Sequence, residues 1–198
     1  MGSIRFSLDP DVLDLDFKGA GIFWALETGT WTGRTTALLA SHFRRVWTVE
    51  ADKEVYGRLP SALSQPSTRY VHGDSASVLP KILVTEREPC FVWLDAHWFP
   101  RLAERRISIP PTTPLLKELM ALSAWQAVSR SFIAVDDVHL FHHEDDRPNY
   151  VPKNWPKWSD IEQVTRTWPQ RQIVFEDVLY FVPDALLETF LDYIEHRS

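Results

Sequence analysis

A single cysteine, Cys90, stands in a chain of 198 residues. One thiol cannot close an internal disulfide, so no covalent framework holds the fold, and the usage suits a reducing compartment. Cys90 opens an apolar run and reads as a small buried hydrophobe rather than a nucleophile. Long hydrophobic runs are missing too. No stretch reaches the ~18 uninterrupted apolar residues that a membrane-spanning helix needs. The N-terminal segment MGSIRFSLDPDVLDLDF is acidic and has no apolar h-region, so no secretory signal is visible and a cytoplasmic location is expected. Positive charge is in deficit. Lys and Arg number 21 against 27 Asp and Glu, a formal net charge of −6. That balance argues against broad attraction to nucleic acid or to an anionic membrane.

The remaining composition is that of a soluble globular chain. Hydrophobic residues make up 44%, and the length is enough for one domain with a sizeable core. Nine tryptophans are many for this length. Trp98, Trp125, Trp155, Trp158 and Trp168 fall in the second half, where they either line a pocket or fill the core.

The densest information lies in Ile22–Glu50, IFWALETGTWTGRTTALLASHFRRVWTVE. An apolar run ends in Glu27, a turn carries Gly29 and Gly33, a helix-like segment follows, and a second apolar run ends in Glu50. This is a strand, a tight loop, a helix and a strand, with one acid near each strand tip. Glycines let backbone come close to a ligand. A helix starting near Thr35 points its positive end at whatever sits over the turn. Glu50 is placed to accept hydrogen bonds from a ribose diol. The spacing, Glu27-x-Gly29-x-x-x-Gly33-x-Thr35, fits neither G-x-G-x-x-G nor G-x-x-x-x-G-K-[ST]. Arg34, not Lys, follows Gly33. Glu27 would repel a pyrophosphate but pair with a cationic amino-acid group.

Strands are expected at 22–27, 45–50, 68–72, 90–95, 131–136, 172–175 and 179–182. Helices are expected at 35–42, 53–59, 75–83, 114–127, 159–168 and 184–196. Ser159 with Glu162 reads as a capping box, and Asp184 as the cap of a last helix with an apolar stripe of Leu187, Phe190, Leu191 and Ile194. Alternating β and α implies an α/β fold with a doubly wound, mostly parallel sheet and helices on both faces. The last two runs, split only by Glu176-Asp177-Val178, must form a hairpin, which brings one antiparallel strand into the sheet. One domain spans 1–198, with an N-terminal extension over 1–20 and a lid or acceptor loop over 138–158.

The Glu27–Glu50 unit resembles the first motif of the class I S-adenosylmethionine-dependent methyltransferases, and the terminal hairpin is a hallmark of that fold. The resemblance implies a seven-stranded sheet in the order 3-2-1-4-5-7-6. It implies that Glu27, Gly29, Thr30, Gly33 and Thr35 cradle the methionine part of the donor and that Glu50 binds its ribose. Gly73-Asp74-Ser75 follows the third strand. By resemblance Asp74 and Ser75 meet the adenine, while helix N-capping suits the same two residues.

The fourth strand ends FVWLDAHW and the fifth FIAVDDVHLF, on the rim where ligands bind in open α/β sheets. Asp95, Asp136 and Asp137 would repel one another unless a cation or proton intervenes, and a hard cation such as Mg²⁺ answers that need. The pattern is similar to the metal-dependent O-methyltransferases of the macrocin and aminocoumarin type. That resemblance implies Asp95, Asp136 and Asp137 as metal ligands, with Asp95 also near the donor, and His97 as general base. The family often has Asp at the last of these positions, so His97 is a departure, although neutral imidazole is a competent base. A turn or helix cap remains the plainer role for the Asp pair.

The loops add His139, His142 and His143, read as solvent-facing rather than as transition-metal ligands. Arg101, Arg105 and Arg106 either clamp an acidic acceptor or form a solvated face. The expected activity is methyl transfer from S-adenosylmethionine to a hydroxyl of a small-molecule acceptor with Mg²⁺ assistance. Alternatives are a non-catalytic nucleoside-binding module and a metal-dependent hydrolase using the acidic rim. A homodimer is compatible with this size class.

Overall fold

A computed structural model describes residues 8–58, 66–97, 113–141, 151 and 155–197. Trp98, Arg101, Arg105, Arg106, His142 and His143 lie outside the described residues, as does part of the expected lid.

Seven strands form one sheet: β1 (Trp24–Thr28), β2 (Arg45–Glu50), β3 (Thr68–His72), β4 (Phe91–Leu94), β5 (Phe132–Val135), β6 (Arg171–Phe175) and β7 (Val178–Val182). Their order is β3-β2-β1-β4-β5-β7-β6. The pairs among β1 to β5 are parallel, and β7 runs antiparallel to both β5 and β6. The alternation of elements and the terminal hairpin are those the sequence pattern implies, and the strand order is the one the family resemblance implies.

Strands β1, β4, β5 and β7 are buried along their whole length. That is why they read as unbroken apolar runs, since helices cover both faces of a parallel sheet. Period-2 alternation divides their side chains. Trp24, Leu26, Val92, Leu94, Ile133 and Val135 enter one core with residues of helices α3 (Ser75–Thr85) and α4 (Leu115–Ser123). Ala25, Phe91, Trp93, Phe132 and Ala134 enter the other, with Leu39 of α1 (Arg34–His42) and Phe190 of α6 (Asp184–Glu195). Strand parity therefore decides which face each rim residue serves. Glu27 belongs to the α1 face and Thr28 to the α3/α4 face.

Several local expectations need correction. The helix expected over 114–127 ends at Ser123, and a 3-10 turn over Val128–Arg130 follows. The chain turns inward there because Trp125 is buried against Trp24, with ring centroids 6.0 Å apart, and its indole donates to the Glu86 carbonyl at 2.6 Å. Helix α5 (Trp158–Thr165) is capped from Lys157, whose N–H donates to Asp160 at 2.8 Å. Ser159 and Glu162 make no capping box, because Glu162 instead accepts the Trp158 indole N–H at 2.9 Å. Asp184 is the first residue of α6 rather than its cap, and Pro183 stands at the cap without a side-chain bond. The buried side of α6 is Leu186 and Phe190, and Leu191 is exposed.

Residues 8–17 also pack into the core, through Leu8, Val12, Leu13 and Phe17. A 3-10 helix over Pro10–Asp14 forms there, and the Tyr193 hydroxyl donates to Asp9 at 2.8 Å, tying this segment to α6. No helix of the described residues is long and apolar enough to cross a membrane.

Candidate functional site

Parallel register brings the strand ends to one edge. Thr28 pairs with Val49 and Leu94, and Leu94 with Val135. Backbone bonds continue past the strands: Gly29 N–H to Val49 O at 2.9 Å, Asp95 N–H to Thr28 O at 3.1 Å, Asp136 N–H to Leu94 O at 3.0 Å and Gly73 N–H to Glu50 O at 2.8 Å. The glycine turn, the β3 corner and the acids after β4 and β5 therefore share one rim. All three non-glycine residues with positive φ among the described residues, Trp31, Asp137 and Glu176, lie on it. Such outliers cluster at functional sites.

Gly29 has φ +83, and a Cβ there would stand 2.6 Å from the carbonyl oxygen of Asp95. The close approach that demands glycine is to the β4 backbone, so the turn and the acidic end of β4 are packed as one piece. Gly33 takes φ 74 at the N-cap of α1. Between them Trp31 donates its backbone N–H to Glu50 Oε2 at 2.9 Å, while Asp52 N–H donates to Oε1 at 2.8 Å. Glu50 is buried, which raises its pKa, and these backbone donors pull the other way. Both oxygens are held in place, and each keeps a lone pair for a further donor such as a ribose hydroxyl.

Glu27 is fully buried. Its Oε2 accepts from Thr36 at 2.5 Å and Thr48 at 2.6 Å, and Thr48 shares a 2.6 Å hydroxyl contact with Thr30. Its Oε1 has no partner. Burial pushes its pKa up to about 8, against the pull of the two threonines. Thr35, expected at the donor, sits half-buried one residue short of this network. Thr36 and Thr48 are the residues that sequence reasoning missed. Their period along α1 and β2 places them on the Glu27 face.

Asp74 caps α3, accepting from Ala76 N–H at 3.1 Å, and stays exposed. Its neighbour Ser75 is buried with its hydroxyl unpartnered. Beneath it lies Glu118 of α4, also missed and entirely buried, with neither carboxylate oxygen hydrogen-bonded. Burial raises its pKa to about 7, and the nearby Ser75 and Thr28 hydroxyls oppose the rise. Its signal in the sequence was a glutamate at i+3 in the apolar series Leu115, Leu119, Leu122.

After β4 and β5, Asp95, His97 and Asp137 bring ligand atoms within 4.8 Å of one another. His97 Nε2 lies 2.7 Å from Asp137 Oδ2 and 3.5 Å from Asp95 Oδ1. Burial alone would lower the His97 pKa, but its bonds to Asp137 and Asp95 overcome that and hold it well above the usual imidazole range. Asp95 is raised by burial, with His97 opposing. Asp136 stands outside the trio. It is buried, accepts the Asp137 N–H at 2.9 Å, and is raised by burial and by repulsion from Asp95 and Asp137. A second group, Asp137, His139 and Asp177, adjoins the first. The His139 backbone N–H and Nδ1 contact the two Asp177 oxygens at 2.9 and 2.6 Å, which raises the imidazole pKa.

Two carboxylates and an imidazole converging at one rim suit a divalent cation. Without one, protonated His97 supplies the positive charge that Asp95 and Asp137 need.

No family model matches the chain, and no curated protein matches it in sequence. Solved structures share its architecture. A candidate caffeoyl-CoA O-methyltransferase from Staphylococcus aureus superposes with a TM-score of 0.53 at 13% identity, over 88% of this chain and 83% of the other. The N-methyltransferase NodS from Bradyrhizobium japonicum gives 0.52 at 14% identity, over 88% and 93%. A candidate methyltransferase from Streptococcus mutans, solved in complex with SAH, gives 0.50 at 12% identity, over 88% and 96%. The fold is theirs. O- and N-methyltransferases both appear, and at such identity the likeness carries the fold and not the acceptor chemistry.

Proposed function

We propose that this chain is an S-adenosylmethionine-dependent methyltransferase acting on a hydroxyl group of a small molecule. The observation that carries the reading is the shared rim. It carries the Glu50 carboxylate, immobilised by Trp31 and Asp52, on the same edge as the Asp95–His97–Asp137 trio, with β1 between them, on a sheet of methyltransferase order.

Glu50 accepts the ribose hydroxyls, and the Asp74–Ser75 corner receives the adenine. The turn from Gly29 to Gly33 borders the methionine part. The partnerless Oε1 of Glu27, on a carboxyl whose pKa burial raises to about 8, lies beneath that turn. Methyl transfer from a sulfonium is an in-line displacement, so the protein's tasks are alignment and removal of the hydroxyl proton. His97 is placed to take that proton once it has lost its own, which a cation replacing it on Asp95 and Asp137 would favour. Asp95 and Asp137, with His97 or a water completing the set, would hold a divalent cation, which lowers the pKa of a chelated hydroxyl.

One observation favours a metal-independent form of the same activity. The His97–Asp137 contact at 2.7 Å already sets one cationic group against the acidic rim. Acceptor-dependent formation of S-adenosylhomocysteine, measured across hydroxylated and aminated small molecules with Mg²⁺, Mn²⁺ or a chelator, tests both forms. Turnover abolished by chelation and restored by cation supports the metal-assisted form. Undiminished turnover under chelation supports the other, and no turnover with any acceptor class despite donor binding favours a nucleoside-binding module.

A further inference from the structure

Three buried polar side chains face one another below the rim without hydrogen-bond partners: Thr28, Ser75 and Glu118. Each comes from a different element. Thr28 ends β1 directly before Gly29, Ser75 opens α3 directly after Asp74, and Glu118 lies mid-way along α4. The two hydroxyls stand close enough to Glu118 to favour its carboxylate, yet short of hydrogen-bonding geometry. A glutamate on the apolar side of α4 costs stability when left unpaired. Unsatisfied buried groups need an explanation in function or in an absent partner.

We propose that Glu118 is a positioning residue for the donor's adenine, joining the β1–α1 turn to the β3–α3 corner from below. The inference rests on the methyltransferase reading, which makes those two corners the donor's seat. A donor that spans them draws Thr28 and Ser75 inward, and both hydroxyls then donate to the Glu118 carboxylate. The contacts reach full hydrogen-bond geometry only with the base in place, so the energy gained in that step appears in donor affinity and in the choice of base.

The test compares S-adenosylhomocysteine with S-inosylhomocysteine, whose base carries a carbonyl in place of the amino group, by titration calorimetry. Glu118→Leu is expected to weaken adenosyl binding by about tenfold or more and to narrow the preference over the inosyl compound. It should unfold at no lower urea concentration than the wild type, because an orphaned carboxylate has gone. Glu118→Gln should restore most of the preference. Thr28→Val is expected to reproduce the loss, and combining it with Glu118→Leu should add little. Unchanged preference in both single variants, or equal losses for both nucleosides together with lowered stability, overturns the proposal. A wild type that binds neither nucleoside overturns the methyltransferase reading itself.

Discussion

The imidazole Nε2 of His97 lies 2.7 Å from Oδ2 of Asp137, across the gap between the ends of β4 and β5. This contact joins the residue expected to act as base to one expected to hold metal. The two roles are therefore coupled. A cation drawn to Asp137 competes with His97 for the same oxygen, and its arrival would free the imidazole.

Asp137→Asn should remove that coupling. The imidazole loses its nearest anionic partner and the rim loses a ligand. Turnover is expected to fall about 10²-fold or more, with cation affinity reduced in parallel. Rates and cation binding measured on the same preparation check this. Full activity with intact cation dependence would place the ligand set elsewhere.

Gly29→Ala tests the packing of the turn on β4. The added Cβ meets the Asp95 carbonyl at 2.6 Å, and φ is +83. The expected cost is about 1–3 kcal/mol in urea unfolding, with donor binding and rim activity both lowered because Gly29 and Asp95 move together. A fully stable Gly29→Ala protein would contradict the close approach.

Glu27→Gln separates burial from charge. The folded Glu27 titrates at about 8 against an ordinary 4.5. Below pH 4.5 the carboxyl is protonated in both states and contributes no pH dependence. Between these values the unfolded chain has lost the proton and the folded chain keeps it, so rising pH erodes stability. The slope approaches ~1.4 kcal/mol per pH unit for one such group. The wild type minus Glu27→Gln difference in unfolding free energy should therefore fall from pH 5 to pH 8 and level above it. A flat difference would show that Glu27 is ionised in the fold.

Much of the architecture was legible because strands β1, β4 and β5 are apolar runs closed by acidic residues, and the hairpin at Glu176-Asp177 leaves no other connection. What escaped was tertiary. The end of α4 depends on Trp125 finding Trp24, which is distant in sequence. The cap of α5 was misread because the Trp158 indole competes for Glu162. At the site, the rim acids followed from strand ends alone. The pairing of His97 with Asp137 depends on how far β4 and β5 are offset, which spacing within either segment does not contain. Glu118 was visible as a charged residue in an apolar series, but its nearness to Thr28 and Ser75 depends on how β1, α3 and α4 pack together.

Glu50→Ala bears on the donor. It removes the acceptor for the Trp31 and Asp52 N–H groups as well as the expected ribose ligand. Donor affinity should drop about tenfold or more, while the sheet, whose core lies below, keeps its far-ultraviolet circular dichroism. Equal affinity in the variant would end the ribose role.

The most direct measurement is titration of the wild-type protein with S-adenosylmethionine and S-adenosylhomocysteine, with Glu50→Ala as control. The account predicts saturable one-to-one binding of both nucleosides by the wild type and a marked loss in the variant. No detectable binding of either nucleoside to the folded wild-type protein would contradict it.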